Sequence, residues 1–360
     1  MNDISEMLRH SAARLFADVC TRGAHDAAEA GAWLSDAWSS IDAVGLTSLD
    51  EICDDAATEF VVMAALARTA GAFAVPLPIV ENLIAQRMLR SAGLETTGAP
   101  ATIAVNLPQN SLTLRQEGSK FIVSGALKRV PWGRHSAEIV ATAADEAGHE
   151  RTVRLANIKP VRQGSNLAGE ARDDFAIQAC TLEAGDVGTP RSGLLSPYLE
   201  AALMRSFQIA GALERVLEMC VQYSTERVQF GRPIAKFQAI QHQIAELAGH
   251  VAAASVAADA ALLAAQHGDA EFEIAAAKLT ASEAATTGYA IAHQVHGAMG
   301  FTHEHALHLS TRRLLSWRDE FGSEAQWATA VARRLNSVDH NALWQFITAS
   351  SDAVSQTAGN

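Results

Sequence analysis

Glu226-Arg227-Val228-Gln229-Phe230-Gly231-Arg232-Pro233, followed by Phe237-Gln238-Ala239-Ile240-Gln241, lies between two long helical patterns. Upstream, Leu203, Phe207, Ala210, Leu217 and Cys220 form one apolar face of a helix that starts near Pro197 and stops around Tyr223 to Arg227. Downstream, Ile240, Ile244, Leu247, Val251, Ala254, Ala258 and Leu262 make a near-heptad seam whose alanines permit close helix contacts. The turn His267-Gly268-Asp269 ends that helix, and a third runs from Phe272 to Val295. Shorter helical segments follow at Ala306 to Trp317, Glu324 to Leu335 and Ala342 to Ile347. Such helices on short connections predict an antiparallel bundle.

The connecting stretch carries chemistry as well as a turn. Arg227 can make charge-assisted bonds to a pyrophosphate, Phe230 supplies a flat apolar surface, and Gly231-Arg232-Pro233 forces a sharp turn. An ordinary helix connection bearing a solvated arginine would use the same residues. A second segment tips the reading: in His293-Gln294-Val295-His296-Gly297-Ala298-Met299-Gly300-Phe301-Thr302, two glycines let a ligand approach the backbone closely.

Ahead of the bundle the pattern changes twice. From Ile4 to about Gly93 helix formers dominate, with Phe60, Ala64 and Ala67 at helical spacing, and Val75-Pro76-Leu77-Pro78 reads as a hinge between helices. Then come β-prone runs: Thr102 to Val105, Leu112 to Leu114, Phe121 to Val123, Ile139 to Thr142, Thr152 to Ile158 and Phe175 to Leu182. Glu117-Gly118-Ser119 marks a hairpin, and the spacing suits a small antiparallel sheet or barrel ending near Pro190. The expectation is an α+β chain with an N-terminal helical domain (1–98), a middle small antiparallel β domain (99–194), a C-terminal four-helix bundle (195–349) and a disordered polar tail (350–360).

Composition removes several function classes. The chain has 360 residues, 49% hydrophobic, enough for a sizeable core. A net charge of -12 offers no basic stripe for nucleic acid or for an anionic membrane. Cys20, Cys53, Cys180 and Cys220 show no Cys-x-x-Cys spacing and read as reduced, packed side chains. With no leader-like N-terminus and no run of about 18 uninterrupted apolar residues, a soluble cytoplasmic protein is expected. His303-x-His305-x-x-His308, with Glu304 and His296 nearby, lacks HExxH spacing, so no metal is expected. Hydrolase elbows, Walker loops and Rossmann glycine fingerprints are absent.

Together, the two segments, their separation and the α-β-α order resemble the acyl-CoA dehydrogenase family of flavoproteins, most specifically over Pro197 to Glu324. The resemblance implies FAD held between the β domain and bundle residues of a neighbouring subunit. It carries FAD contacts onto Arg227, Gln229, Phe230 and Gln238, onto Gln294, Gly297 and Gly300, and onto Ser323. It also implies abstraction of an α-proton from an acyl-CoA by a glutamate while the β-hydride passes to the flavin. An electron-transfer flavoprotein as acceptor, and a homo-oligomer or a hetero-oligomer with a related subunit, are implied likewise.

The base position depends on the anchor. In Trp317-Arg318-Asp319-Glu320-Phe321-Gly322-Ser323-Glu324, anchoring on Ser323-Glu324 selects Glu320, whereas anchoring on Gly322-Ser323 selects Phe321, which cannot accept a proton. Some family members place the glutamate early in the first bundle helix, a position falling on Ala201 with Glu200 adjacent. The middle domain departs from the family: the Thr-Glu-Pro-Gly-x-Gly-Ser-Asp segment is missing, and Trp-x-Thr is replaced by Arg129-Val130-Pro131 followed by Trp132. Two alternatives to a self-sufficient dehydrogenase remain. One is a partner subunit that only completes a flavin site; the other is an oxidase or monooxygenase of the same fold.

Overall fold

The computed structural model describes residues 3–49, 52–53, 55–105, 110–268, 270–339 and 341–348; the expected tail at 350–360 and Asp269 of the expected turn lie outside them. Two compact units divide the chain, Met1–Met204 and Arg205–Asn360.

The first unit opens with helices α1 (Asp3–Val19), α2 (Arg22–Glu29), α3 (Ser35–Asp42), α4 (Ala56–Ala72) and α5 (Ile79–Ser91). Asp55 starts α4 by accepting from the Ala57 and Thr58 backbone N–H groups at 2.9 and 2.8 Å, which satisfies donors a helix start leaves bare. The Val75-Pro76-Leu77-Pro78 break is buried between α4 and α5, with Pro78 directly ahead of the first turn of α5. Asn82 on α5 is fully buried. It donates to the Thr47 carbonyl at 2.8 Å and accepts from the Ala101 N–H at 2.9 Å, tying α5 to the loop after α3 and to the first strand.

Strands β1 (Ala101–Ala104), β2 (Ser111–Glu117), β3 (Lys120–Pro131), β4 (Glu138–Ala144), β5 (Glu150–Ala156), β6 (Arg172–Leu182) and β7 (Val187–Gly188) form one sheet in the order β6-β3-β2-β4-β5-β7, with β1 paired to β4. The expected hairpin is present as the antiparallel β2–β3 pair. The expectation of a wholly antiparallel sheet is corrected: β1 and β2 both run parallel to β4. Between β3 and β4 the chain passes through a 3-10 turn at Gly133–His135 rather than a tight hairpin, so β4 returns alongside β1 in the same direction. Alternating side chains reveal a strand's two faces and say nothing about its direction. Gly125 sits at a register shift in β3, where the Ser111 carbonyl approaches too closely to admit a Cβ.

Helix α6 (Pro197–Glu226) enters the second unit, followed by β8 (Val228–Gln229), β9 (Arg232–Pro233), α7 (Gln238–His267), α8 (Glu271–His296), α9 (Leu307–Arg318) and α10 (Glu324–Asn336); residues 343–348 are also helical. Leu213, Val216 and Cys220 of α6 share one core with Leu247 and Val251 of α7, Ala281 and Ala285 of α8, and Leu314 and Trp317 of α9. Alanine and glycine set the spacing: a Cβ on Gly288 would lie 2.6 Å from Leu213 Cδ2, so Leu213 would have to shift to admit one. Among the described residues, α7 is long and apolar enough to cross a membrane by length and composition, and 28% of its most apolar stretch is buried. The sequence reading expected no such segment because Glu246 and Asp259 interrupt it; its alanines raise the average hydropathy.

Candidate functional site

Beyond Glu226 the chain leaves α6 and folds at once into the two-residue strands β8 and β9, paired through Val228–Pro233 and Gln229–Arg232. The two linking residues, Phe230 and Gly231, both have positive φ, 51° and 78°. That combination suits a tight hairpin, and it strains a phenylalanine by roughly 1–2 kcal/mol. Phe230 is also 90% exposed. Its ring meets Phe237 edge-on at 6.0 Å, while the Arg232 guanidinium stacks on Phe237 at 4.3 Å. A large apolar ring both strained and bare to solvent is the kind of feature that clusters at binding sites.

Across from the hairpin, α8 ends at His296. Gly297 has φ 57° and its N–H bonds the His293 carbonyl, which closes the helix and begins a 3-10 turn, Gly297–Phe301. No atom lies within 4 Å of where a Gly297 Cβ would stand, so its backbone is open to approach. Gly300 is packed instead, its hypothetical Cβ 3.1–3.2 Å from His296, His293 and Leu307.

These pieces surround a cavity of about 360 Å³. Five residues singled out from the sequence line it together: Arg227, Gln229, Phe230, Gln294 and Gly297. Gln238 is the first residue of α7 and Gly300 is buried behind the wall, neither among the lining residues. Ser323 lies elsewhere, as the N-cap of α10. Its Oγ accepts from the Gln326 N–H at 3.4 Å, and its own N–H donates to Gln326 Oε1 at 2.9 Å. Tyr223 and His296 also line the cavity, and sequence reasoning passed over both as lining. The available signal was position: Tyr223 stands one helical turn before Arg227, and His296 directly precedes Gly297.

Glu320 sits in a different setting. Its Oε2 pairs with Arg205 Nη2 at 2.9 Å, with side-chain exposures of 11% and 2%. The Arg205 guanidinium also lies over the rings of Trp317 and Phe321, at 5.4 and 5.1 Å. Lys278, wholly buried, donates to the Arg318 carbonyl at 2.8 Å and to the Trp317 and Gly322 carbonyls and Ser282 Oγ at 3.2–3.3 Å. It thereby pins both the end of α9 and the loop after it. Phe321 is buried with φ 53°, and its carbonyl accepts from Trp327 Nε1–H at 3.1 Å. Arg205 and Lys278 were legible only as cations inside apolar helical runs.

Glu200, in the first turn of α6, accepts from Arg87 Nε at 2.9 Å, and Arg87 also bonds Glu59 at 3.0 Å. Burial pushes the Glu200 carboxyl above its usual range, against the pull of Arg87. A cavity of about 290 Å³ beside it is lined by Arg87, Ser91, Glu150, Arg191 and Ser196. Just past the end of β3, Trp132 is buried with φ 54°, its N–H bonded to the Ala171 carbonyl at 2.9 Å. The histidines make ring contacts: His303 stacks on His308 at 5.2 Å and His305 meets His296 edge-on at 4.8 Å. Among the described residues no group of three His, Cys, Asp or Glu could hold a metal.

Residues 199–336 match the family described as acyl-CoA dehydrogenase, C-terminal domain. Among curated relatives, the acyl-CoA dehydrogenase IpdE2 of Mycobacterium tuberculosis is 30% identical over 250 residues, 66% of this chain and 66% of that protein. The mitochondrial short-chain specific acyl-CoA dehydrogenase of Bos taurus is 29% identical over 209 residues, 53% of this chain and 50% of that protein. The matches therefore span about two thirds or less of these relatives' own lengths. In fold, the chain superimposes on a protein from the ChsE4-ChsE5 complex of Mycobacterium tuberculosis with TM-score 0.83 at 16% identity, covering 94% of this chain and 99% of that one.

Proposed function

Because the chain belongs to the acyl-CoA dehydrogenase family, whose members are FAD-dependent flavoproteins, we propose that it works in the FAD-dependent α,β-dehydrogenation of an acyl-CoA thioester. Its contribution is a cradle for the nucleotide half of the cofactor. One observation carries this reading: Arg227, Gln229, Phe230, Gln294 and Gly297 line a single cavity. The cavity passes a fit test independent of any relative, since it combines a cation, two amides, a strained exposed aromatic ring and an open glycine backbone. Arg227 would hold the pyrophosphate by charge-assisted bonds, Gln229 and Gln294 would bond its polar edges, and Phe230 would cover a flat ring. Bound FAD supplies the hydride acceptor.

The α-proton needs a carboxylate free to receive it. Glu320 is tied to Arg205 and Glu200 to Arg87, and Phe321 fills the alternative base position. These pairings favour a second reading, in which the chain completes a flavin site and a related subunit supplies the base. Such a companion, and an electron-transfer flavoprotein as acceptor, belong to the proposal.

The test is anaerobic addition of acyl-CoAs to the flavin-loaded chain, alone and with a related subunit. Bleaching of the flavin absorption by the chain alone sinks the companion reading. Bleaching at an unchanged rate in Glu320→Gln excludes Glu320 as the base, because glutamine keeps the shape and loses the proton acceptor.

A further inference from the structure

One wall of the cavity holds an unmet group. His296 is 2% exposed and lines the cavity. Its Nδ1 lies 2.8 Å from the Ala292 carbonyl. A carbonyl can only accept, so Nδ1 carries the proton and Nε2 presents a bare lone pair. That Nε2 is buried and has no hydrogen-bond partner among the described residues. Burial holds the imidazole below its ordinary pKa, with the Ala292 carbonyl opposing, so the ring stays neutral. The ring is fixed by stacking on Tyr223 at 4.5 Å and by His305 edge-on at 4.8 Å. An acceptor left unpaired inside a protein destabilises it, and apolar replacement of the same shape would relieve the penalty. Keeping a histidine here makes sense if a ligand supplies the missing donor.

We propose that His296 Nε2 accepts a hydrogen bond from the adenosine half of the dinucleotide, an amine N–H or a ribose O–H, and so positions that half in the cradle. The inference rests on the reading of the cavity as an FAD site. His296 is a positioning residue, remote from the reacting atoms, and nothing in the proposal depends on catalytic competence of the chain.

The full chain, with its companion subunit where one is needed for folding, is titrated with FAD as wild type, His296→Phe, His296→Gln and Arg227→Ala. His296→Phe keeps the stacking surface and removes the acceptor; about tenfold weaker FAD binding is expected, with partial recovery in His296→Gln. The same His296→Phe protein without flavin should melt no lower than wild type, since it has lost an unpaired polar atom. In the wild type, the ¹⁵N resonance of His296 Nε2 should move on adding FAD, from a bare to a hydrogen-bonded acceptor. FAD lacking the adenine amine tells the donors apart: weaker binding places the bond at the amine, unchanged binding at the ribose. The proposal is overturned if Nε2 is already hydrogen-bonded without flavin, as a donation from His305 would make it, or if His296→Phe binds FAD like wild type. If Arg227→Ala also binds FAD like wild type, the cradle reading falls with it.

Discussion

The two ends of helix α8 are built on opposite principles. Lys278 and His296 stand 18 positions apart on it, roughly 27 Å along the axis. Around Lys278 the charged groups meet partners within the chain: Arg205 meets Glu320, and the lysine meets three carbonyls and a serine. Around His296 the chain leaves groups unanswered, namely a buried ring nitrogen, an exposed strained phenylalanine and an open glycine. The self-sufficient end holds architecture together, and the unmet end is where the flavin cradle is proposed. Glu320 belongs to the first kind of environment, and that separates it from the proposed cradle.

Breaking the self-sufficient end should have the largest effect. Arg205→Met strands Glu320 without its buried partner, and a loss of about 3–5 kcal/mol in unfolding free energy is expected from urea titration. An unchanged midpoint would show that the pair is not structural. At the unmet end, Arg227→Ala should weaken FAD about tenfold to hundredfold, the worth of one charge-assisted bond, with the unfolding midpoint of the flavin-free chain unmoved.

A smaller effect sharpens the contrast through pH. Burial, then the Arg205 charge, pulls Lys278 down from 10.5 to about 7, against Glu320 and Asp319. The unfolded chain therefore binds more protons than the folded one between these values, so stability rises as pH climbs from about 7 toward 10. Lys278→Met should flatten that rise, read from denaturation midpoints across the interval. The smallest effect belongs to Phe230→Ala, which should change stability by no more than about 0.5 kcal/mol while lowering FAD affinity several-fold. A marked loss of stability would mean that the ring serves the fold instead.

The bundle was readable because its helices are long and periodic; Gln238–His267 and Glu271–His296 follow the apolar spacing almost residue for residue. The sheet was readable as strands and misread as wholly antiparallel, since pairing direction is set by how the chain returns after Pro131, a long-range matter that alternation does not encode. In the candidate site, Arg227, Gln229, Phe230, Gln294 and Gly297 could be named in advance because each sits at a helix end in a distinctive motif. Lys278 and Arg205 could not, because each reads as a stray cation on an apolar face until its partners, 39 to 44 positions away for the lysine and 115 for the arginine, are brought beside it.

The sequence by itself determined the order of helices and strands and the two loops of the cradle, because periodicity, glycine and proline act within a few residues of where they stand. Only the tertiary structure decided which unlike residues meet: that Glu320 is answered by Arg205 and His296 Nε2 by nothing among the described residues. Pairing of buried polar groups is a property of packed surfaces, and packing joins residues whose separation in sequence carries no local signal.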